Sequence, residues 1–425
     1  MNEILSKIKL VFADNVLRNR ILVTLALLAI FRVLASIPIP GVDQAALARF
    51  FGGSQFFGLL NVFSGGGLSN LSIVMLGVGP YITGSIIMQL VTMMSPRLKA
   101  MYQEEGEAGR KKFSQYGRLL SIPLALLQAV AFIFLLQKQG VVGNLGTYSL
   151  AINVIIVTTG SVLLMWLGEL ITEFGIGNGV SLMIFSGIIA ALPTEISRLV
   201  FAYDPSMLLS YIVFVLLAFG IIAAVVYITE AERPIPVTYA KRVRGNRVYG
   251  GISTYLPLRL NQAGVIPIIF ALSILLFPQL ILNVVSGITT NPQIKDYATA
   301  LLGFVSNDWV YAITYFLLVF IFTYFYTAVT FDPHQIAENL QKNGAFIPGV
   351  RPGVSTSEYV GKVLTRITLV GASFLGFIAV LPLIIKAVLP NINSIAIGGT
   401  ALLIAVSVIL DLAKKIDAQI SMREY

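Results

Sequence analysis

The chain predicts an all-α membrane protein with ten transmembrane helices, and three observations carry that prediction. Hydrophobic residues make up 56% of the 425 residues and charged residues only 12%, against about 25% charged in soluble globular domains. Mean hydropathy is +0.85. Apolar runs matched to the roughly 30 Å hydrocarbon core recur ten times, and basic residues concentrate in every second connection between them.

The runs lie near 20–37, 72–94, 118–137, 150–168, 179–197, 207–229, 263–285, 309–331, 367–386 and 395–411. The first follows an amphipathic, Lys-bearing segment without an A-x-A site, so no cleaved signal peptide is expected. Pro38-Ile39-Pro40-Gly41 ends it, because neither Pro nor Gly continues a helix cheaply. The outer connection 38–71 contains a short apolar stretch, Phe56 to Phe63, that runs into Ser64-Gly65-Gly66-Gly67. Eight helical residues rise only about 12 Å, well short of a span, and a triple Gly is a poor helix interior and a good hinge. Within a membrane such a broken half-helix must sit inside protein or line a water-filled cavity. The segment about 56–67 therefore predicts a cavity, and with it a channel or a transporter.

Three further connections are long, about 95–117, 230–262 and 332–366. Five runs precede the turn Tyr203-Asp204-Pro205 and five follow it, giving two five-helix halves, 1–202 and 203–425. An inverted five-plus-five repeat is a common way to build a membrane pore or carrier. Here it rests on counting, since the halves show no sequence similarity.

The net charge of +9 matters less than its placement. Of the 29 Lys and Arg residues, 23 fall on the side that holds both termini, and only Arg32, Arg49, Lys138, Arg198, Lys295 and Lys386 fall elsewhere. By the positive-inside rule both termini are cytoplasmic. Arg32, Glu169, Glu195, Lys386 and Asp411 sit near span ends, where long side chains snorkel and short ones meet water; the span interiors otherwise hold no ionisable side chain of the Asp, Glu, Lys, Arg or His type. Ion-coupled carriers ordinarily need such groups, so a passive conduit driven from outside fits better. With no Cys and one His, His334, in a loop, neither a catalytic residue nor a metal site nor a cofactor is expected. No GxxxxGK[ST] occurs, which excludes nucleotide hydrolysis by that route.

Four stretches stand out. Val78-Gly79-Pro80-Tyr81-Ile82 puts Val78 and Ile82 on one helix face, which ordinary packing explains and which also suits a hydrophobic constriction that blocks ions by dewetting. Trp166 to Gly179 joins the fourth and fifth runs; its alternating Gly175, Gly177 and Gly179 follow a span rather than a strand and lack the nucleotide-loop spacing, so a tight cytoplasmic turn is expected. The 230–262 connection carries Lys241, Arg242, Arg244 and Arg247, and the 332–366 connection carries Gly344 to Gly353 with Arg351 near its tip. Topology explains most of this charge, yet the length of these loops suits docking of an acidic or RNA-rich partner.

Together these residues resemble the SecY family, the channel subunits of the bacterial protein translocon. The resemblance runs through Phe31-Arg32 to Gly41, Asn61-Val62-Phe63-Ser64-Gly65-Gly66, Pro80-Tyr81-Ile82 to Gln89-Leu90, and Trp166 to Gly179. It continues through Glu232-Arg233 to Arg242, Ala263 to Pro267, Phe346 to Gly353 and Gly398 to Ile404. It implies an hourglass pore in a two-halved shell that opens sideways to membrane lipid between the second and seventh spans. It also implies a clamping subunit (SecE), a peripheral subunit (SecG), and drive from the SecA ATPase or a translating ribosome, with ribosomal RNA contact through the basic loops. On this sequence the implied pore ring is Val78, Ile82, Val180, Ile184, Ile269 and Ile404, all aliphatic. The implied plug comprises Phe57, Leu60, Asn61, Phe63, Gly65, Gly66 and Gly67; Gln89 is an implied polar element of the lateral gate.

The expectation is thus a protein-conducting channel of the bacterial inner membrane, passing signal-sequence-bearing unfolded polypeptides outward and releasing spans into lipid. The alternative is a secondary transporter of a small solute, disfavoured by the missing intramembrane charge and the large basic loops. A membrane enzyme lacks the paired carboxylates, His or Cys it needs.

Overall fold

The computed structural model describes residues 14–40, 61, 64–138, 140–143, 146–201, 205, 208–239, 242–244, 247–249, 253–289, 291–305, 307–388 and 399–421. In chain order the elements are α1 (Asn15–Ser36), α2 (Gly79–Met94), α3 (Pro96–Gln103), α4 (Gly106–Lys138), α5 (Thr147–Phe174), α6 (Gly179–Phe201) and α7 (Leu208–Glu230). Strands β1 (Glu232–Tyr239), β2 (Arg242–Arg244), β3 (Arg247–Tyr249) and β4 (Ser253–Arg259) follow. Then come α8 (Ile266–Ile288), α9 (Pro292–Val305), α10 (Asp308–Thr330), α11 (Pro333–Lys342), β5 (Ala345–Phe346), α12 (Val354–Val388) and α13 (Gly399–Ser421). The protein is all-α in its membrane portion: each of the ten apolar runs coincides with one helix, namely α1, α2, α4 to α8, α10, α12 and α13.

Among the described residues, seven of these are long and apolar enough to cross a membrane by length and composition alone. The second run departs from expectation. It does not form a helix from residue 72; turns occupy 72–78, and α2 begins at Gly79 with Pro80 in its first turn. Sixteen helical residues then rise about 24 Å. Helix α13 extends beyond the expected 411 to Ser421 as a charged segment with an Asp411–Lys415 ion pair at 2.9 Å.

Two compact units divide the chain, 1–208 with 272–311 and 391–425, and 209–271 with 312–390. The first unit is held by α2, α4, α5 and the turns before α2. Ile39, Leu68, Leu71, Met75, Ala129, Phe132, Ile133, Leu136 and Val157 form one buried cluster there. Lipid tails are as apolar as these side chains, so close packing rather than water exclusion holds such helices together. Accordingly, Gly160 on α5 faces the Ile73 carbonyl with no room for a Cβ, and Gly179 on α6 meets the Gly168 carbonyl on α5 in the same way. The expected turn between α5 and α6 is present: Gly179 N–H donates to Thr172 Oγ1 (2.9 Å) and Ile176 N–H to Thr24 Oγ1 of α1 (3.2 Å).

Glu169 does not simply meet water at the end of α5, as its position suggested. It is ion-paired with Arg118 of α4 (Nε to Oε1, 2.5 Å) and its side chain is only 20% exposed.

The second unit contains a small sheet where the sequence suggests only long basic loops. Strand β1 pairs antiparallel with β4, Glu232 opposite Arg259 through Thr238 opposite Ser253, and with β5 on its other edge. Alternation along β1 buries Ile235 and Val237. These pack with Leu258, Ala345, Ile347, Val360, Val363 and Ile367, so the connections 230–262 and 332–366 fold into one body on the extended start of α12. β2 and β3 form a separate antiparallel pair that carries Arg242, Arg244 and Arg247.

Candidate functional site

The site starts from the way the chain leaves α1. Ile39 N–H donates to the Leu71 carbonyl and Ile73 N–H to the Ile37 carbonyl, both at 2.9 Å, around a Pro38–Ser72 bridge. This short antiparallel clasp ties residues 37–39 to 71–73, and residues 64–78 lie inside the first unit. Ser64, Leu68, Leu71, Ser72, Val74, Met75 and Val78 are all buried. Their backbone polar groups are met locally, as buried groups must be. The Asn61 carbonyl accepts from Gly66 N–H (2.8 Å) and Ser64 Oγ (3.0 Å), Asn61 Oδ1 accepts from Ser69 N–H (2.8 Å), and Ser64 Oγ accepts from Leu68 N–H (2.9 Å). Leu71 takes φ +42°, a conformation unusual for a bulky residue, held by the clasp on one side and full burial on the other.

Three neighbours seat this segment, and sequence reasoning missed all three. Arg32 of α1 does not snorkel to the surface; its Nη1 donates to the Gly65 carbonyl at 2.6 Å. The Phe31 ring lies where a Cβ on Gly65 would point, and Gly65 has φ +65°. Gly187 of α6 lies so close to the Gly65 backbone that any Cβ there would overlap it. Gly65 and Gly67 are buried. The glycines expected to serve as a hinge are thus also where the backbone passes between α1 and α6. An Arg one residue after Phe31, within an apolar run, was the visible signal; Gly187 gave none.

Two of the proposed ring positions meet this segment directly. Phe31, Ser64, Gly65, Gly77, Val78, Leu164, Met183 and Ile184 line one narrow crevice, too tight to hold a water molecule. Val78 stands at the N-cap of α2 and Ile82 one turn on, while Val180 and Ile184 occupy the first two turns of α6. Ile404 lies in the second turn of α13, which packs on α6. Val78, Ile82, Ile184 and Ile404 are all at most 7% exposed, and Val180 is half-buried over Gly168. Ile269, 6% exposed in the first turn of α8, belongs to the second unit. Phe57, Leu60, Phe63 and Lys241 lie outside the described residues.

Gln89 is half-buried on α2, and its Oε1 is buried without a hydrogen-bond partner among the described residues. In the second unit Arg351 is exposed. It sits between Gly349 (φ +83°) and Gly353 (φ +98°), beyond an anchor made by β5 and Ile347.

Late-starting α2 with folded, non-helical backbone buried before it defines a polytopic α-helical membrane protein of the channel or transporter class, since such backbone at membrane depth must be enclosed by protein or line a cavity. The SecY family model matches residues 72–413. The translocase subunit SecY of Mycobacterium bovis is 42% identical, covering 96% of each chain, and that of Thermotoga maritima is 41% identical, covering 96% of this chain and 94% of the relative. A solved protein-conducting channel superposes with TM-score 0.68 at 21% identity, covering 96% of this chain and 93% of that one. Sec61 in a canine ribosome-channel complex gives 0.63 at 20% identity, with the same coverage. The chain belongs to the SecY family. It is a protein-conducting channel, a conduit rather than a catalyst, and nothing among these relatives supports the small-solute carrier.

Proposed function

We propose that the chain passes unfolded, signal-sequence-bearing polypeptides outward through an apolar ring sealed by a short plug, and releases membrane spans sideways into lipid. The ring is Val78, Ile82, Val180, Ile184, Ile269 and Ile404. The plug is the segment about 56–67, with Phe57, Leu60 and Phe63 as its apolar face. The two five-span halves, 1–202 and 203–425, surround an hourglass pore and part between α2 and α8, beside Gln89. The observation that carries this reading is the shared crevice in which Ser64 and Gly65 of the plug segment meet Val78 and Ile184 of the ring.

Physical chemistry supports each part. An aliphatic neck excludes hydrated ions by dewetting, yet it deforms around a passing chain because dispersion contacts are individually weak and carry no fixed partner. The plug's seat is modest. One hydrogen bond from a charged donor contributes about 1.5–3 kcal/mol, and a few partly buried apolar side chains add only a few kcal/mol at about 25 cal/mol per Å². Differential binding of a signal sequence to the open state offsets a term of that size.

The localisation is the bacterial inner membrane with both termini cytoplasmic, following the charge placement. SecE clamps the halves, SecG is peripheral, and SecA or the ribosome supplies the drive. Lys241, Arg242, Arg244, Arg247 and Arg351 form the docking face, where contact with ribosomal RNA suits their charge. A Sec61 relative is seen in a ribosome-channel complex, which supports the ribosome as a partner here.

The ring is tested by conductance. Replacing Ile82 and Ile184 together by Asn is expected to raise the resting ion conductance of the reconstituted complex several-fold, because polar side chains let water and ions wet the neck. Conductance equal to that of the unaltered complex would show that these side chains do not line the seal.

A further inference from the structure

Helix α9 (Pro292–Val305) lies between α8 and α10 and has no role in the reading above. It is amphipathic in an unusual position. Ala298 is buried and Leu302 and Val305 are half-buried, so that edge rests on the protein. The adjoining edge carries Ile294 (47% exposed), Tyr297 (75%), Leu301 (52%) and Phe304 (62%), spaced three and four apart and therefore on one face. Asp296, Thr299 and Gly303 occupy the opposite side. Four large apolar side chains in a row, uncovered, are not what water alone tolerates.

The chain itself says where this face sits. Three residues separate α9 from the end of α8 at Ile288 and two separate it from the start of α10 at Asp308. At no more than about 3.6 Å per extended residue, those tethers keep α9 within roughly 15 Å of the ends of two spans, on the membrane face opposite the basic loops. Helix α10 carries an exposed apolar row of its own. Trp309 (69% exposed), Ile313 (60%), Leu317 (51%) and Ile321 (57%) follow at helical spacing, a stripe that in a spanning helix faces lipid.

We propose that α9 is an interfacial helix that inserts Ile294, Tyr297, Leu301 and Phe304 into the outer leaflet, with Tyr297 and Trp309 at headgroup level, and that it fixes the depth of the outer ends of α8 and α10. The occupant of this face is the lipid surface. Aromatic residues with one apolar and one polar side collect at that level, and an apolar helix face buries itself about 5–10 Å below it. The only charges on α9 are Lys295 and Asp296, which cancel, so the anchoring is apolar and independent of anionic lipid. This inference rests on the membrane-spanning fold and not on the plug or ring.

The absence of native Cys allows a direct test. Single Cys residues at Leu301, Phe304, Asp296 and Thr299, each spin-labelled in the complete complex reconstituted into phosphatidylcholine vesicles, report collisions with oxygen, which partitions into lipid, and with a nickel chelate, which stays in water. Labels at 301 and 304 are expected to favour oxygen over nickel several-fold more than labels at 296 and 299, unchanged when a third of the lipid is phosphatidylglycerol. Equal nickel access at all four positions would place the helix in water. Shielding of 301 and 304 from both reagents would mean that protein, from a second copy or another partner, covers this face. Either result overturns the proposal, as does an oxygen preference that appears only with phosphatidylglycerol. Quenching of Trp309 by shallow brominated lipid, read in a Trp166→Phe background that leaves it the single Trp, is the independent check and needs no label on α9.

Discussion

Arg351→Glu is expected to abolish translocation driven by the proposed partner SecA while leaving the membrane fold intact. The sequence gives Arg351 a Pro- and Gly-rich surround, and the structure explains what that surround does. Val350 N–H donates to the Ile347 carbonyl (3.1 Å), and Thr356 Oγ1 and its N–H donate to the carbonyls of Arg351 (2.9 Å) and Gly353 (3.1 Å). Ile347 is 3% exposed in the small core with Ile235, Val237 and Val363, so the tip is built on a rigid base. Left-handed turns at Gly349 and Gly353 hold the guanidinium out in water at little further entropic cost. A cation presented this way serves docking better than packing.

Reversing its charge replaces an attraction with a repulsion at the same spot. Such like-charge placement at an interface costs several kcal/mol, and about 2.8 kcal/mol already corresponds to 100-fold in affinity. ATP-dependent transport of a secretory precursor into vesicles is therefore expected to fall at least about 100-fold. The abundance and protease resistance of the membrane-embedded chain should stay normal. Arg351→Lys keeps the charge but loses the planar fork, and an intermediate rate is expected from it. Normal transport by the Glu variant would remove Arg351 from the docking face.

The helices were legible because lipid imposes so strict a rule on them. Each apolar run from 20–37 to 395–411 has its helix, since a backbone crossing hydrocarbon has to pair its own polar groups. What composition hid was where helix stops inside such a run. Residues 72–78 are as apolar as a helix needs, but the clasp with Ile37 and Ile39 claims the backbone groups of Leu71 and Ile73, and Pro80 then sets the first turn of α2. The small cytoplasmic sheet was hidden for the opposite reason. β1 contains Pro234 and Pro236, which argue against a strand read locally, and its partner β5 lies about 100 residues away. Only the buried alternation of Ile235 and Val237 hinted at it. At the candidate site the resemblance points to the aliphatic positions of the proposed ring, whereas the contacts of Gly65 with Phe31, Arg32 and Gly187 leave no mark in the sequence that names them as partners. Arg32 was assigned to snorkelling because sequence shows that a charge lies near a span end but not which way it turns.

Gly187 leads to the second large effect. Its position on α6 leaves no space for a Cβ beside the Gly65 backbone, and Gly65 is in turn closed in by Phe31 and held by Arg32 at 2.6 Å. A side chain at 187 has nowhere to go except into the backbone of Gly65, not the movable end of a side chain. α6 itself gains, because Leu is a better helix former than Gly by about 0.8 kcal/mol; the cost falls on residues 64–67. Gly187→Leu is therefore expected to unseat the proposed plug and not to unfold the helix. If displacement forfeits the Arg32 contact and its packing, a shift of about 2 kcal/mol moves the closed-to-open ratio by roughly 30-fold. Three readouts should follow together. Resting conductance rises, a disulfide between Cys residues placed at Ser64 and Ile184 no longer forms, and precursors with weakened signal sequences pass more readily because the signal no longer has to displace the plug. Gly187→Ala, with the same Cβ and nothing beyond it, should give the same changes at smaller amplitude. A Leu variant that inserts normally, seals like the unaltered channel and still forms the 64–184 disulfide would show that the close approach of Gly187 to Gly65 does not hold the resting state shut.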